Sequence, residues 1–353
     1  MNEFLSNLAL GLEPYTPGEQ PKAGEFVKLN TNENPYPPSP GVLKAIRDNT
    51  NEKLRLYPDP QSTVLLKAAA DYYSIPSDMV FVGNGSDEVL AFAFAAFFAG
   101  RKLVFPKVTY SFYPVYCRLY GIEFTELPMA EGLAMDTEAM ENSGCGVVIA
   151  NPNAPTGELI QIDVIENIAA KNKDNVILVD EAYIDFGGTS AIGLTLKHEN
   201  ILVVQTFSKS RSLAGMRIGF AFGSRKLIDG LERVKNSFNS YPLDRLAQYA
   251  GAAAFRDDEY YKEIKQKIIR TRENSIARLE AMGFRTIETS SNFIFTTHEE
   301  VKAERLYREL KERKVLVRYF SSGPVDNYIR ITIGTDRQMD TLFSELEKII
   351  SGC

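Results

Sequence analysis

Two histidines (His198 and His298) and three cysteines (Cys117, Cys145 and Cys353) are the only soft metal ligands of this kind in 353 residues. No pair of cysteines stands in a Cys-x-x-Cys spacing, so no His/Cys metal site is expected. A disulfide-free, cytoplasmic protein is the simplest reading. Positive charge is also scarce. Forty Lys and Arg face 46 Asp and Glu, a formal net charge of −6, which excludes the polybasic footprint of a nucleic-acid binder. It still permits a small basic pocket for an anion. Long apolar runs are missing too. The most apolar window, VLAFAFAAFFA at 89–99, is too short for a bilayer core of roughly 30 Å, and is expected to be a helix buried on all sides. The first residues, MNEFLSNLALGLEPY, carry an early acid and no basic region, a poor signal peptide. No repeat or low-complexity tract is apparent.

What remains is an ordinary enzyme-like composition, 44% hydrophobic and 24% charged, in a chain too long for one simple core. From about residue 80, β-branched runs alternate with helical stretches. The runs are MVFVG (79–83), KLVFP (102–106), GVVIA (146–150), NVILVD (175–180), NILVVQTF (200–207) and RIGFAF (217–222). Such continuous apolar strands imply a mostly parallel sheet covered by helices on both faces. The last two runs are joined too tightly for a helix, so one strand there is expected to run antiparallel. After residue 240 come two helices (243–255 and 259–284), SNFIFT (291–296), a helix in 301–314, VLVRYF (315–320), YIRITIG (328–334) and a closing helix. The fold class is therefore α/β, a large domain of the seven-stranded type with a smaller α+β domain. Residues 1–45 read as an N-terminal arm and part of the small domain. Residues 46–240 read as the large domain, and 241–353 as a linking helix with the small C-terminal domain.

In open α/β sheets, ligands sit beyond the carboxyl ends of the strands. Three apolar runs end in polar residues there: GVVIA in NPNAPTG (151–157), NVILV in Asp180-Glu181-Ala182-Tyr183, and ILVVQTF in Ser208-Lys209. MVFVG leads into GNGSDE (83–88), a glycine turn opening a helix whose N–H groups and dipole favour a phosphate. Singly, each feature has a structural explanation: a solvated lysine, an acid capping a helix, turn glycines and asparagines, an arginine in a surface pair. Together they point further. TFSKSRSLAGMRIG (206–219) sets Thr206, Ser208 and Lys209 before a loop that brings Arg217 back. Two hydroxyls and a guanidinium around an amine suit a phosphate monoester beside an aldehyde.

This order of motifs resembles the fold-type I pyridoxal-phosphate aminotransferases over nearly the whole chain. The resemblance implies that Lys209 carries pyridoxal 5'-phosphate as a Schiff base and shuttles the substrate proton. It implies that Asp180 pairs with the pyridine nitrogen and that Tyr183 bonds the phenolic oxygen. The backbone amides of Ser86 and Asp87, with Thr206, Ser208 and Arg217, would hold the phosphate, and Tyr110 would stack on the ring. One departure stands out. The family usually has Asn immediately before Pro-Thr-Gly, bonded to the phenolic oxygen, where this chain has Ala154. Either Asn153 reaches that oxygen or Tyr183 serves alone.

Within the superfamily, LEPYTPG, LNTNENPYPPSP (29–40), YPDPQS (57–62), VDEAYIDF (179–186) and the two Arg-bearing strands are similar to the histidinol-phosphate aminotransferase family. That likeness gives Arg330 the substrate's anion, with Arg318, Tyr15 and Asn32 assisting. It implies a small-molecule amino donor and keto acceptor, glutamate and imidazole-acetol phosphate, in histidine biosynthesis. It further implies a homodimer whose Tyr57, and likewise Tyr15, reaches the neighbouring subunit's site. The same residues suit an aromatic amino acid aminotransferase or a threonine-phosphate decarboxylase. A non-catalytic pyridoxal-phosphate-binding regulator is expected to carry a DNA-binding module, and no basic helix-turn-helix segment is present.

Overall fold

The computed structural model describes residues 4–14, 18–21, 26–321 and 323–352. A two-residue strand β1 (Val27–Lys28) comes first, followed by the strands of the large sheet: β2 (Val80–Asn84), β3 (Lys102–Pro106), β4 (Glu123–Leu127), β5 (Gly146–Ala150), β6 (Ile177–Asp180), β7 (Ile201–Thr206) and β8 (Ile218–Gly223). Their spatial order is β2-β8-β7-β6-β5-β3-β4. Only β8 runs against its neighbours, antiparallel to both β2 and β7. The tight connection between the last two runs has the consequence expected of it.

Burial explains the composition of these strands. Strands β5 to β8 are buried along their whole length, and alternate residues feed two cores. Val147, Ile149, Val179 and Val203 pack on one face with Leu65, Ile165 and Phe255. Val148, Leu178, Leu202 and Val204 pack on the other with Leu90, Phe94 and Tyr113. Strand β4 was not among the apolar runs, because an edge strand of sequence EFTEL buries no residue fully. The apolar window 89–99 also differs from expectation. It is a helix, Gly85–Ala93, continued by a π-helical turn, Phe94–Phe98, but Ala95, Ala96 and Phe97 are only half-buried.

The smaller unit holds β9 (Phe284–Thr286), β10 (Phe293–His298), β11 (Val315–Leu316), β12 (Arg318–Tyr319) and β13 (Ile329–Thr332). An antiparallel sheet runs β12-β13-β10-β9, while β1 pairs parallel with β11. A third core, with Leu29, Ile264, Ile294, Leu306, Ile331 and Leu342, fills the space between this sheet and its helices. Helix Asp258–Ala281 and the closing helix Asp336–Ser351 fall where expected, the latter opened by a Thr335/Gln338 capping box.

Two segments pack differently from their sequence reading. Helix Arg245–Arg256 follows the large sheet, burying Ala247, Ala250 and Phe255 in its core. Within the proline-rich arm, Pro40–Asn49 is helical. Ser39 accepts from the Val42 N–H, proline stands at the first turn, and Val42 enters the same core. Among the described residues no helix is long and apolar enough to cross a membrane.

Candidate functional site

A cleft of about 1090 Å³ opens over the carboxyl ends of the parallel strands, walled on its far side by β12, β13 and the segment 30–33. Its floor is the end of β6. Asp180 is 5% exposed and accepts from the Tyr113 hydroxyl at 2.9 Å and the Ala182 N–H at 3.2 Å. Burial pushes its carboxyl up to about 6, against the lowering pull of those two donors. Asp87 pushes it the same way as burial, and Lys209 opposes. Among the described residues no cation is in direct contact with this buried acid, and a protonated ring nitrogen would be one. Tyr113 lies three residues beyond Tyr110, yet nothing in the local pattern marked it as the partner of Asp180.

The next strand, β7, ends in the phosphate-like cradle. Thr206 donates to the Ser208 hydroxyl at 2.9 Å and accepts from the Ser208 N–H at 3.1 Å. Arg217 enters from the start of β8 in a left-handed conformation, φ 51°. Its guanidinium bonds Asp87 at 2.9 Å and approaches the Ser208 hydroxyl at 3.5 Å. Opposite lies the N-terminus of helix Gly85–Ala93, with Ser86 and Asp87 in its first turn. Gly85 has φ +81°, and a Cβ there would stand 2.5 Å from Arg217. Tyr110 lines the cleft and donates to Asp87 at 2.9 Å.

Lys209 follows this cradle, its Nζ 3.2 Å from the Thr31 carbonyl and 5.7 Å from the centre of the Tyr183 ring. The backbone that carries it is held from several sides. Asn34 donates to the carbonyls of Lys209 and Ser210, Ser210 donates to Asp185, and the Arg211 guanidinium lies 3.7 Å from the Tyr261 ring centre. Arg211 also donates to the Ala254 carbonyl at 2.7 Å. These contacts span distant positions, and no sequence spacing announced them.

The Arg-bearing strands meet the cleft from above. Arg318 and Arg330 are direct cross-strand partners in β12 and β13, and both line the cleft. Arg330 donates to the Asn30 carbonyl at 3.3 Å and lies over Phe293 and Phe320. Asn32 lines the cleft from the arm and donates to the Tyr183 hydroxyl at 2.9 Å.

Two expected residues, Asn153 and Tyr57, do not line the cleft of this chain. Asn153 is turned away from the cleft: its amide donates to the Val108 carbonyl and the Thr156 hydroxyl, and accepts from Thr109. Both ends of the amide are thus engaged in tying its loop to residues 108 and 109, while the neighbouring Ala154 lines the cleft. Tyr57 is 79% exposed, stacked on Tyr241 with centroids 4.7 Å apart, and lies outside the cleft of its own chain. Tyr15 lies outside the described residues.

Residues 24–346 match the model of the family described as aminotransferase class I and II. The histidinol-phosphate aminotransferase of Brachyspira hyodysenteriae is 50% identical over 352 residues, covering 99% of each chain. The histidinol-phosphate aminotransferase 1 of Hydrogenovibrio crunogenus is 51% identical over 351 residues, again with 99% of each covered. In fold, the chain superposes on the histidinol-phosphate aminotransferase of Sinorhizobium meliloti, solved with pyridoxal-5'-phosphate, with TM-score 0.88. That match covers 100% of this chain and 99% of the other at 22% identity.

Proposed function

Because the chain belongs to the class I and II aminotransferase family, we propose that it uses pyridoxal 5'-phosphate to move an amino group from glutamate to imidazole-acetol phosphate. The products are histidinol phosphate and 2-oxoglutarate, the direction being reversible. The observation that carries this reading is the convergence of Lys209, Asp180 and the Thr206–Ser208–Arg217 cradle on one cleft.

The residues present fit the cofactor. The open turn at Gly85, the helix N-terminus behind it and the two hydroxyls beside Arg217 suit a phosphate monoester. Asp180, buried at the floor of the cleft, suits a ring nitrogen that keeps its proton. When bound, the cofactor supplies an electron sink for the substrate's Cα–H bond. Everything else falls to the chain. Lys209 would hold the cofactor through its amine and would carry the proton at the substrate Cα. Tyr183 would hold the phenolic oxygen through its hydroxyl. Arg318 and Arg330, direct cross-strand neighbours that both line the cleft, would present two guanidiniums to an anion. Arginine suits a carboxylate and a phosphate equally, which the two alternating substrates require.

Carboxylate recognition by Arg330 would also serve aromatic amino acids, and threonine phosphate would present a phosphate in the same place. A panel separates these. With loaded protein, histidinol phosphate and 2-oxoglutarate are expected to give the highest kcat/KM. Preference for phenylalanine, or release of carbon dioxide from threonine phosphate, would overturn the substrate assignment. Borohydride reduction followed by peptide mapping is expected to leave the cofactor on Lys209, and an adduct on another lysine would overturn the mechanism. The active unit under this reading is a homodimer in which the exposed Tyr57 of one subunit reaches the phosphate bound by the other.

A further inference from the structure

Asn32 stands in a left-handed conformation, φ 56°, and is 1% exposed. Four hydrogen bonds tie it down. Its N–H donates to the Thr332 hydroxyl at 2.9 Å, and that hydroxyl donates its one hydrogen to Asn32 Oδ1 at 2.9 Å. Its carbonyl accepts from the Asn292 amide at 3.0 Å. With Oδ1 claimed by Thr332, Nδ2 is left facing Tyr183, and it donates to the phenol oxygen at 2.9 Å. A phenol has one hydrogen to give. An oxygen that already receives a hydrogen from the Asn32 side keeps its own for the cleft side, where Lys209 lies under the same ring.

The loop after β5 gives this arrangement its weight. At the position before Pro155 the side chain is the methyl of Ala154, and the amide of Asn153 is fully engaged elsewhere. The loop's other side-chain amide, Asn151, is engaged as well, donating to the Ile160 carbonyl at 3.0 Å.

We propose that Asn32 is a positioning residue that aims the Tyr183 hydroxyl at the cofactor's phenolic oxygen, so that the Asn32–Tyr183 pair replaces the amide lost at Ala154. The inference rests on the pyridoxal-phosphate reading above. It also turns Asn32 from a direct substrate contact into a residue acting through Tyr183. Thr332 belongs to the same device. It is two residues beyond Arg330 on β13, so the strand that meets the substrate's anion also fixes the amide that orients the phenol.

The test is the visible absorbance of the loaded protein titrated with pH. A hydrogen bond to the phenolic oxygen favours the form in which the neighbouring nitrogen has lost its proton, so losing that bond raises the titration midpoint. Tyr183→Phe is expected to raise the midpoint by about one unit or more, since a neutral hydrogen bond commands a shift of that order. Asn32→Gly keeps the left-handed backbone, removes the amide, and is expected to raise it by about half a unit. In the Tyr183→Phe background, Asn32→Gly should add nothing, because its effect passes through the missing hydroxyl. An equal rise in both backgrounds, or no rise in either, overturns the proposal. If Tyr183→Phe alone leaves the midpoint in place, the relay falls with it, while mapping of the borohydride adduct to Lys209 shows separately whether the cofactor reading stands. Should Asn32→Gly fail to fold, Thr332→Val removes the hydroxyl that orients the amide. It is expected to give a smaller rise in the wild-type background and none beside Tyr183→Phe.

Discussion

Asp180 and Glu181 are consecutive acids sent to opposite faces of one sheet. Asp180 meets Tyr113 on the cleft side, whereas Glu181 points into the other core. There it accepts from Ser190, the Ala191 N–H and Gln205. Gln205 in turn accepts from Tyr73. Burial pushes the Glu181 carboxyl up to about 7 from an ordinary 4.5, the three donors only partly opposing it. A carboxyl whose folded value is raised contributes stability that is full below its unfolded value and lost as pH rises through the folded one. Wild-type stability should therefore fall across the window from 4.5 to 7, and Glu181→Gln should flatten that part of the decline. Denaturant unfolding of both proteins across this window checks it, and a stability difference that does not change with pH would refute it. At this scale the sequence was legible where a polar residue ended an apolar run, as with Asp180, Ser208 and Lys209. It was silent where function depends on pairing across the fold. Asn32 and Thr332 are 300 positions apart, and no spacing rule connects them. The choice between Asn153 and Tyr183 stayed open in the sequence for a related reason: a loop amide has no periodicity to reveal which way it turns.

Helix Gly85–Ala93 shows how an element positions chemistry without contributing a reactive side chain. Its first turn is brought against β8 by a glycine pair. Gly83 is the register partner of Gly219, and a Cβ on Gly219 would lie 2.3 Å from the Gly85 carbonyl carbon and 2.4 Å from the Ser86 nitrogen. Backbone cannot yield as a flexible side chain can, so Gly219→Ala must push the helix N-terminus away from Arg217. Forcing extra volume into such a contact costs about 1–3 kcal/mol. We expect a lower Tm and a roughly tenfold or greater loss of cofactor affinity, a factor corresponding to about 1.4 kcal/mol. Equilibrium dialysis with pyridoxal phosphate measures this, and undiminished affinity would mean that the helix end does not hold the phosphate. Strand type was readable wherever both faces of the sheet are covered, as in GVVIA and ILVVQT. Strand β4 escaped notice because an edge strand can remain polar.

At the scale of the whole molecule, Tyr57 is the residue that a single chain leaves without an evident task. Its carbonyl is held by Arg245 at 3.1 Å, that of Asp59 by Gln248 at 2.9 Å, and that of Pro60 by the buried Lys235 at 3.2 Å. The loop is thus firmly fixed while its tyrosine ring faces outward. A shared-site homodimer gives that ring a role, and complementation tests it. Lys209→Ala subunits mixed with Tyr57→Phe subunits should regain activity above either parent, because one of the two sites in a mixed dimer is then free of both lesions. If Tyr57→Phe alone is impaired and verified mixed dimers recover nothing, the sites are not shared. The strand order has a last consequence, for biosynthesis. Strand β2 pairs only with β8, and five strands are made between them. A nascent chain can assemble β3 to β7 in turn, but β2 waits as an unpaired edge until β8 has emerged. The helix that follows β2 waits with it, so the phosphate cradle is among the last parts of the large sheet to form. Such late, long-range closure is slow and leaves an apolar strand exposed to aggregation. A ligand that binds only the closed cradle would draw the final step toward completion.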